Sequence, residues 1–274
     1  MGAKFGFMDY NLCLLYMKYQ GGKYFLSKDI TRILLEKLET SSLEVNGYVE
    51  PFCGALNVMC RMSSHFDRCY AYDIHEDLIA LWKEVKADTF IPPPTCDETN
   101  YLFIKHLPSP NAMKAFVGFG LSFGGKYFSG YAPRYKGDKK EDYLQAVKNS
   151  MLKIRPHLNN VEFECCSYDT LQPTNKLIYC DPPYKSRNFP VKYRTHTKKY
   201  DLFDTEVFWE VMRKWSKKNI VVVSELQAPD DFVVIFEKKK YRSASQSIKT
   251  RYKNDTERYV EEKLFMYKGA VEVV

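Results

Sequence analysis

The segment KLIYCDPPY, residues 176–184, carries the clearest structural signal in the chain. Its first five residues form a short, mainly apolar run, which is typical of a buried strand. Two consecutive prolines end the run, because proline cannot donate to a strand ladder. The segment therefore predicts a strand over residues 176–180 that presents Asp181 at its carboxyl end.

Predicted strands and helices alternate on both sides of this segment. We predict further strands over residues 47–52, 68–72, 161–165, 219–223, 232–236 and 262–267. We predict helices over residues 27–38, 77–87, 142–152 and 206–215, and one that begins near residue 55. Ser27 is the predicted N-cap of the first helix. The alternation predicts an α/β fold with a mostly parallel, doubly wound, Rossmann-like sheet covered on both faces.

The alternation breaks between residues 91 and 158. Ile91 is followed by three prolines, which neither a helix interior nor a central strand can hold. Residues 117–133 are rich in glycine and aromatic residues, and basic residues follow them. We therefore predict one domain made of residues 1–90 and 159–274, with residues 91–158 inserted as a small, mainly helical domain.

Polar or unusual segments follow several of the predicted strands. Residues 50–54, Asp73 and residues 181–184 each come directly at a strand end. Ligands of such sheets bind beyond the carboxyl ends of the strands. We therefore expect these three segments to meet at one site.

Composition favours an intracellular protein with an anionic partner. The formal net charge is +7, which favours partners such as nucleic acid. No apolar run is long enough to cross a bilayer, and the N-terminus lacks the pattern of a signal peptide. We therefore expect no membrane contact. The eight cysteines include no CxxC pair and the five histidines show no ligand spacing, so we also expect no metal site.

The four residues Asp181, Pro182, Pro183 and Tyr184 have two interpretations. Two prolines after a strand can simply form a turn. A carboxylate, two rigid residues and an aromatic ring can also form a fixed clamp for a flat ring that carries a hydrogen-bond donor. The position directly after a buried strand favours the clamp.

The segment YCDPPY, residues 179–184, resembles the catalytic motif of amino-methylating DNA methyltransferases. It is especially similar to the Dam-type, D12 class of adenine-N6 methyltransferases. Four more segments resemble that family in its order: KYQGGK (18–23), EPFCG (50–54), YD (72–73) and CSY (166–168). The resemblance covers roughly residues 17–89 and 161–267 and has the α-type order of motifs, which leaves residues 91–158 as the expected target-recognition part.

The resemblance implies methylation of the adenine N6 amino group, a use that the chemistry of the clamp supports. The lone pair of this nitrogen is delocalised into the ring, so the protein must accept hydrogen bonds from the amino hydrogens. Asp181 and the backbone carbonyl of Pro182 can each accept one, and Tyr184 can stack on the ring. A base inside a duplex must first be flipped out.

The resemblance also implies S-adenosylmethionine as the cofactor. The residues expected around it are Tyr19, Lys23, Glu50, Phe52, Gly54, Asp73, Tyr168 and Asp181. The spacing of Asp73 from the first loop independently suits a ribose contact. Four alternatives stay open: a surface helix entry for Tyr19 and Lys23, a solvated strand end for Glu50, an N-cap for Asp73 and a core position for Tyr168.

The expected macromolecular partner is double-stranded DNA. Its predicted contacts are Lys126, Tyr127, Arg134, Lys136, Arg187, Lys192 and Arg194. Lysine and arginine neutralise phosphates, and Arg134 can read a guanine edge. The alternatives are a glycine-rich surface hairpin and a solvated loop after the catalytic motif.

Related motifs serve other substrates, including RNA adenine, cytosine N4 and protein glutamine. Serine is more usual than Asp181 in cytosine N4 enzymes and asparagine in glutamine enzymes, so Asp181 favours adenine. A DNA-binding partner subunit without activity is a further alternative, supported by the run Ala55-Leu56-Asn57 after Gly54. The resemblance otherwise suits a site-specific enzyme of the restriction–modification kind.

Overall fold

The computed structural model describes residues 17, 19–132, 134–136, 139–183, 192–194, 200–241 and 259–271. Its helices are α1 (Ser27–Thr40), α2 (Met59–Met62), α3 (Glu76–Ala87), α4 (Glu98–Lys105), α5 (Ala112–Gly120), α6 (Tyr143–Ile154), α7 (Thr205–Ser216) and α8 (Lys268–Val271). Its strands are β1 (Tyr48–Glu50), β2 (Cys69–Asp73), β3 (Arg134–Lys136), β4 (Lys139–Glu141), β5 (Val161–Cys165), β6 (Leu177–Cys180), β7 (Lys192–Arg194), β8 (Tyr200–Leu202), β9 (Ile220–Glu225), β10 (Phe232–Tyr241) and β11 (Tyr259–Tyr267).

The main sheet has seven strands within these ranges, in the order β10-β11-β9-β6-β1-β2-β5. The five strands from β9 to β5 run parallel, and β11 and β10 join antiparallel at one edge. From β1 the chain moves outward to β2 and β5 and then returns to the other side of β1 as β6. This reversal next to β1 is the point where sheets of this kind bind ligands. The predicted α/β fold with a mostly parallel, Rossmann-like sheet is confirmed.

Apolar side chains cover both faces of the sheet. On one face, Tyr48 of β1 and Leu177 of β6 pack in a core that includes Trp82 of α3. On the other face, Ile178 of β6 packs in a second core with Phe208 of α7. Neighbouring residues of β6 therefore point into different cores, which is why this strand is apolar throughout.

The first helix begins differently from the prediction. Ser27 is the first residue of α1, and Leu26 precedes it without a capping side chain, so the predicted N-cap role of Ser27 is wrong. The hydroxyl of Ser27 donates to the carbonyl of Tyr24 at 2.8 Å and accepts from Nε of Arg61 at 2.8 Å. Its hydrogen bonds thus tie the helix start to α2 rather than cap the helix.

Residues 91–158 contain α4, α5, α6 and the hairpin of β3 and β4. Phe116 of α5 is buried in the same core as Trp82 of α3. These residues therefore share a core with the sheet, and the division into two domains stays a prediction. No helix in the described ranges is long and apolar enough to cross a membrane.

Candidate active site

A cavity of about 1060 Å³ lies at the carboxyl ends of the central strands. It is lined by residues 19–23, 50–55, 73–74, 166–170 and 181–183, together with Asn57, Val58, Tyr179, Phe203, Asp204 and Val207. The three strand-end segments that the sequence predicts to converge all line it. The N-terminal segment around Lys23 joins them there.

Asp73 ends β2 and fastens the loop that follows β1. Its Oδ2 accepts from the backbone N of Gly54 at 3.1 Å, and its Oδ1 accepts from the backbone N of His75 at 2.9 Å. The N-cap of α3 is His75, whose side chain accepts from Leu78, so the N-cap alternative for Asp73 is wrong. Burial raises the pKa of the Asp73 carboxyl, an effect that its backbone hydrogen bonds oppose.

Gly54 allows the β1 loop to pack against the N-terminal segment. Its φ is +44°, and a Cβ at this position would lie 3.1 Å from the ring of Tyr19. The carbonyl of Gly54 also accepts from Nε1 of Trp82 at 2.9 Å. A glycine is therefore required here both by the backbone conformation and by the close approach of Tyr19.

Glu50 is buried at the end of β1, so the alternative of a solvated strand end is wrong. The hydroxyl of Tyr48 donates to its Oε1 at 2.7 Å. Burial raises the pKa of Glu50 to about 8, the hydrogen bond from Tyr48 lowers it, and the charge of Asp181 raises it further. Glu50 is thus a carboxyl group whose charge is sensitive to what enters the cavity.

Lys23 lies against Asp181 at the end of β6. Its ammonium is 2.8 Å from Oδ1 of Asp181 and 3.8 Å from Oε2 of Glu262. Only 6% of the Lys23 side chain is exposed, so the alternative of a surface position is wrong for this residue. The predicted cofactor contact is thus also the ion-pair partner of Asp181.

The clamp residues are partly visible. Asp181 lines the cavity with its side chain 19% exposed, Pro182 is buried, and Pro183 is half-buried. Tyr184 lies outside the residues that the structure describes. The structure therefore places the carboxylate and both prolines at the cavity, and the stacking role of Tyr184 stays a prediction.

An aromatic wall closes one side of the cavity. The ring of Phe52 lies 5.2 Å from that of Tyr168 and 6.1 Å from that of Phe203. Tyr168 is buried, and burial raises its pKa to about 12, so it both lines the cavity and belongs to the core. Phe203 was not predicted from the sequence; its one signal is a position directly before Asp204, the N-cap of α7, where a hydrophobic residue often packs.

The predicted DNA contacts are distributed over three places. Lys126 is exposed, whereas Tyr127 is half-buried and its hydroxyl donates to Asp77. Arg134 and Lys136 lie on β3, and Lys192 and Arg194 lie on β7, which pairs with β8. Arg187 lies outside the described residues. The DNA-binding roles of all seven residues stay predictions.

The cavity suits a nucleoside that carries a cationic group. Its aromatic wall can hold a flat ring, and the carboxylate of Asp73 can accept a hydrogen bond from a ribose hydroxyl. Asp181 supplies negative charge nearby, and Glu50 adds to it when it is ionised. In the described ranges, no group of three His, Cys, Asp or Glu side chains is arranged to hold a metal ion. The residues present therefore fit S-adenosylmethionine.

Comparisons with known proteins agree with this geometry. The model of the family "D12 class N6 adenine-specific DNA methyltransferase" matches residues 19–109 and 125–264. A DNA adenine methylase of Escherichia coli (strain K12) is 28% identical over 232 residues, with 76% of this chain and 78% of that protein covered. A DNA adenine methylase of Vibrio cholerae serotype O1 (strain ATCC 39541) is 24% identical over 231 residues, with 76% and 79% covered. Because the family model matches most of the chain, including every segment that lines the cavity, the chain belongs to the D12 class N6 adenine-specific DNA methyltransferases.

Proposed function

We propose that the cavity is the place where S-adenosylmethionine and a flipped adenine of double-stranded DNA meet, with Asp181 at their junction. The family establishes the activity, which is methylation of adenine in DNA with S-adenosylmethionine as methyl donor. The proposal concerns the residues that perform it. The observation that carries it is the Lys23–Asp181 ion pair at the edge of a cavity whose other wall contains Asp73 and Phe52.

Asp73, Phe52 and Tyr168 are the proposed cofactor contacts on the β2 side. Asp73 accepts hydrogen bonds from ribose hydroxyls, and the two aromatic rings contact the adenine of the cofactor. Gly54 lets the loop backbone approach, while Tyr19 and Glu50 also line the cavity. When bound, S-adenosylmethionine supplies an electrophilic methyl group on a positively charged sulfur.

Asp181 and Pro182 are the proposed acceptors for the target amino group. Each accepts a hydrogen bond from one amino N–H, which draws the nitrogen lone pair out of the ring and aims it towards the methyl group. Lys23 favours the ionised form of Asp181, in which both carboxylate oxygens accept. The nitrogen loses one proton overall, and in this proposal the partly exposed Asp181 accepts that proton and releases it to water.

The proposed DNA contacts include Lys126 and its neighbours. We expect this binding to take place inside the cell. Lys126 is exposed and follows two glycines with φ of +66° and +67°, which form a tight turn on the surface. Lys192 and Arg194 lie on a second hairpin that follows the catalytic motif. Basic residues on two such segments can hold the phosphates of a duplex while its adenine is flipped out.

The test is transfer of a labelled methyl group to duplex DNA, followed by digestion and identification of the nucleoside. We expect N6-methyladenine. Asp181→Ala should lower turnover at least about 100-fold, the scale found when one transition-state hydrogen bond is removed. The matched control is Asp67→Ala at an exposed position before β2, at the opposite end of the sheet. Label in cytosine, in RNA or in protein alone would contradict the proposal, as would near-normal turnover of Asp181→Ala with an intact far-ultraviolet circular dichroism spectrum.

A further inference from the structure

We infer that a hydrogen-bonded joint at Asp77 makes cofactor binding and DNA binding depend on each other. The joint connects α3, which begins beside the cofactor cavity, to the inserted segment, residues 91–158. The inference rests on the proposed function, because it takes the cofactor to bind at Asp73 and DNA to bind at Lys126.

Asp77 lies in the first turn of α3 and is fully buried, with 0% of its surface exposed. Its Oδ1 accepts from the backbone N of Asn111 at 2.7 Å. Its Oδ2 accepts from the hydroxyls of Ser109, at 3.0 Å, and Tyr127, and lies 3.7 Å from the ammonium of Lys114. These four groups all belong to the inserted segment, so one carboxylate holds that segment at several separate points.

Two successive contacts connect the joint to Asp73, the proposed cofactor-binding carboxylate. The backbone N of His75 donates to Oδ1 of Asp73 at 2.9 Å. The ring of His75 packs edge-on against Tyr127, with centroids 4.5 Å apart and an angle of 77° between the rings. Tyr127 therefore touches the residue that fixes Asp73 and, through its hydroxyl, the residue that fixes the inserted segment.

A second set of contacts connects another residue of the cavity lining, Tyr19, to the same tyrosine. The ring of Phe119 lies 4.9 Å from that of Tyr19, which lines the cavity, and 4.9 Å from that of Tyr127. Beside it, the backbone N of Gln20 donates to the carbonyl of Gly125 at 3.1 Å. The N-terminal lining segment, like Asp73, is thus connected to the turn that carries Lys126.

Burial gives these contacts their rigidity. A buried carboxylate keeps its hydrogen bonds because no water is present to replace a lost partner. DNA bound at Lys126 restrains the next residue, Tyr127. Through the contacts of Tyr127, this restraint reaches α3 and Asp73. Coupling between two binding sites is reciprocal, so filling the cavity should equally favour the DNA-binding arrangement.

The experiment uses Tyr127→Phe, which removes the hydroxyl bound to Asp77 and keeps the ring that packs on His75 and Phe119. Tyr131→Phe is the matched control, because that hydroxyl lies in the same segment and donates to the carbonyl of Cys96 at 2.8 Å. Ser109→Ala removes a different bond to Asp77 and serves if Tyr127→Phe does not fold. The probes are a duplex that the enzyme methylates and sinefungin, an unreactive analogue of the cofactor.

The measured quantity is the ratio of the DNA dissociation constants without and with saturating sinefungin. We expect a ratio on the order of tenfold for the wild type and for Tyr131→Phe. For Tyr127→Phe or Ser109→Ala we expect about twofold or less, with the same loss in the effect of DNA on sinefungin binding. The joint is refuted by an unchanged ratio in Tyr127→Phe, by an equal loss in Tyr131→Phe, or by a wild type without coupling.

Two further variants separate this inference from the proposed function. Asp73→Ala should weaken sinefungin binding without DNA, and Lys126→Ala should weaken DNA binding without sinefungin. If neither does so, the proposed binding sites are wrong. If both do so while Tyr127→Phe keeps the wild-type ratio, the binding sites stand and only the joint is wrong.

Discussion

The ammonium nitrogen of Lys23 lies 2.8 Å from Oδ1 of Asp181, so the N-terminal segment meets the end of the central strand β6 at one ion pair. Glu262 on β11 lies 3.8 Å from the same nitrogen. A positively charged group close to a carboxyl group favours the charged form of that carboxyl. The pair therefore supports Asp181 in the charged form that accepts hydrogen bonds.

Lys23→Met should lower turnover about tenfold, since Asp181 would then lose the ammonium that lies 2.8 Å from its Oδ1. The acidic limb of the pH–rate profile should move to higher pH, because losing a nearby positive charge favours protonation of Asp181. Rates of methyl transfer at saturating cofactor, measured across pH, check both effects. Lys217→Met, at an exposed position after α7, is the control. A raised cofactor dissociation constant with unchanged turnover would instead make Lys23 a cofactor contact alone.

Titration of Glu50 should make both the stability of the protein and its affinity for the cofactor depend on pH. Its pKa in the folded protein is about 8, chiefly because of burial, against 4.5 as the ordinary value. The folded state therefore holds a proton that the unfolded state releases between these values. Stability from this group is greatest below pH 4.5 and falls, by at most about 1.4 kcal/mol per pH unit, as the pH rises towards 8.

Cofactor affinity should rise with pH, whereas the contribution of Glu50 to stability falls. A cationic ligand favours the ionised form of Glu50, so affinity for S-adenosylmethionine should rise with pH up to about 8 and then level off. Calorimetric titrations at several pH values measure it. S-adenosylhomocysteine, whose sulfur is neutral, should show a weaker rise, and Glu50→Gln should flatten both curves. If affinity for the two ligands depends on pH with the same slope, the sulfonium charge is not the cause of the effect.

The sequence predicts the sheet well because apolar runs report burial directly. The strand predicted over residues 161–165 is β5, Val161–Cys165. The strand predicted over residues 232–236 extends to Tyr241 as β10, since an edge strand carries polar side chains such as Lys238 that no apolar pattern reveals. The meeting of three strand ends was also predictable, because parallel strands present their carboxyl ends at one edge.

Contacts between side chains from distant segments were not predictable. Lys23 and Asp181 pair across the cavity, and no local pattern specifies that geometry. Asp77 reads as an ordinary acidic residue in the first turn of a helix, where charge favours the helix dipole. Its complete burial depends on Asn111 and Tyr127, which the chain brings to it only in the folded protein.

Lys126 tests where DNA binds. Lys126→Ala should weaken binding to all duplex sequences by a similar factor, because a phosphate contact carries no sequence information. The slope of the logarithm of affinity against the logarithm of salt concentration should become shallower by about 1, as expected for one lost phosphate contact. Lys153→Ala removes the same charge from an exposed position on α6 and should leave the slope unchanged. Filter-binding or fluorescence titrations over a range of salt concentrations measure both. Equal changes in the two variants would assign the effect to net charge, and DNA contact would then have to be sought on the hairpin of β7 and β8.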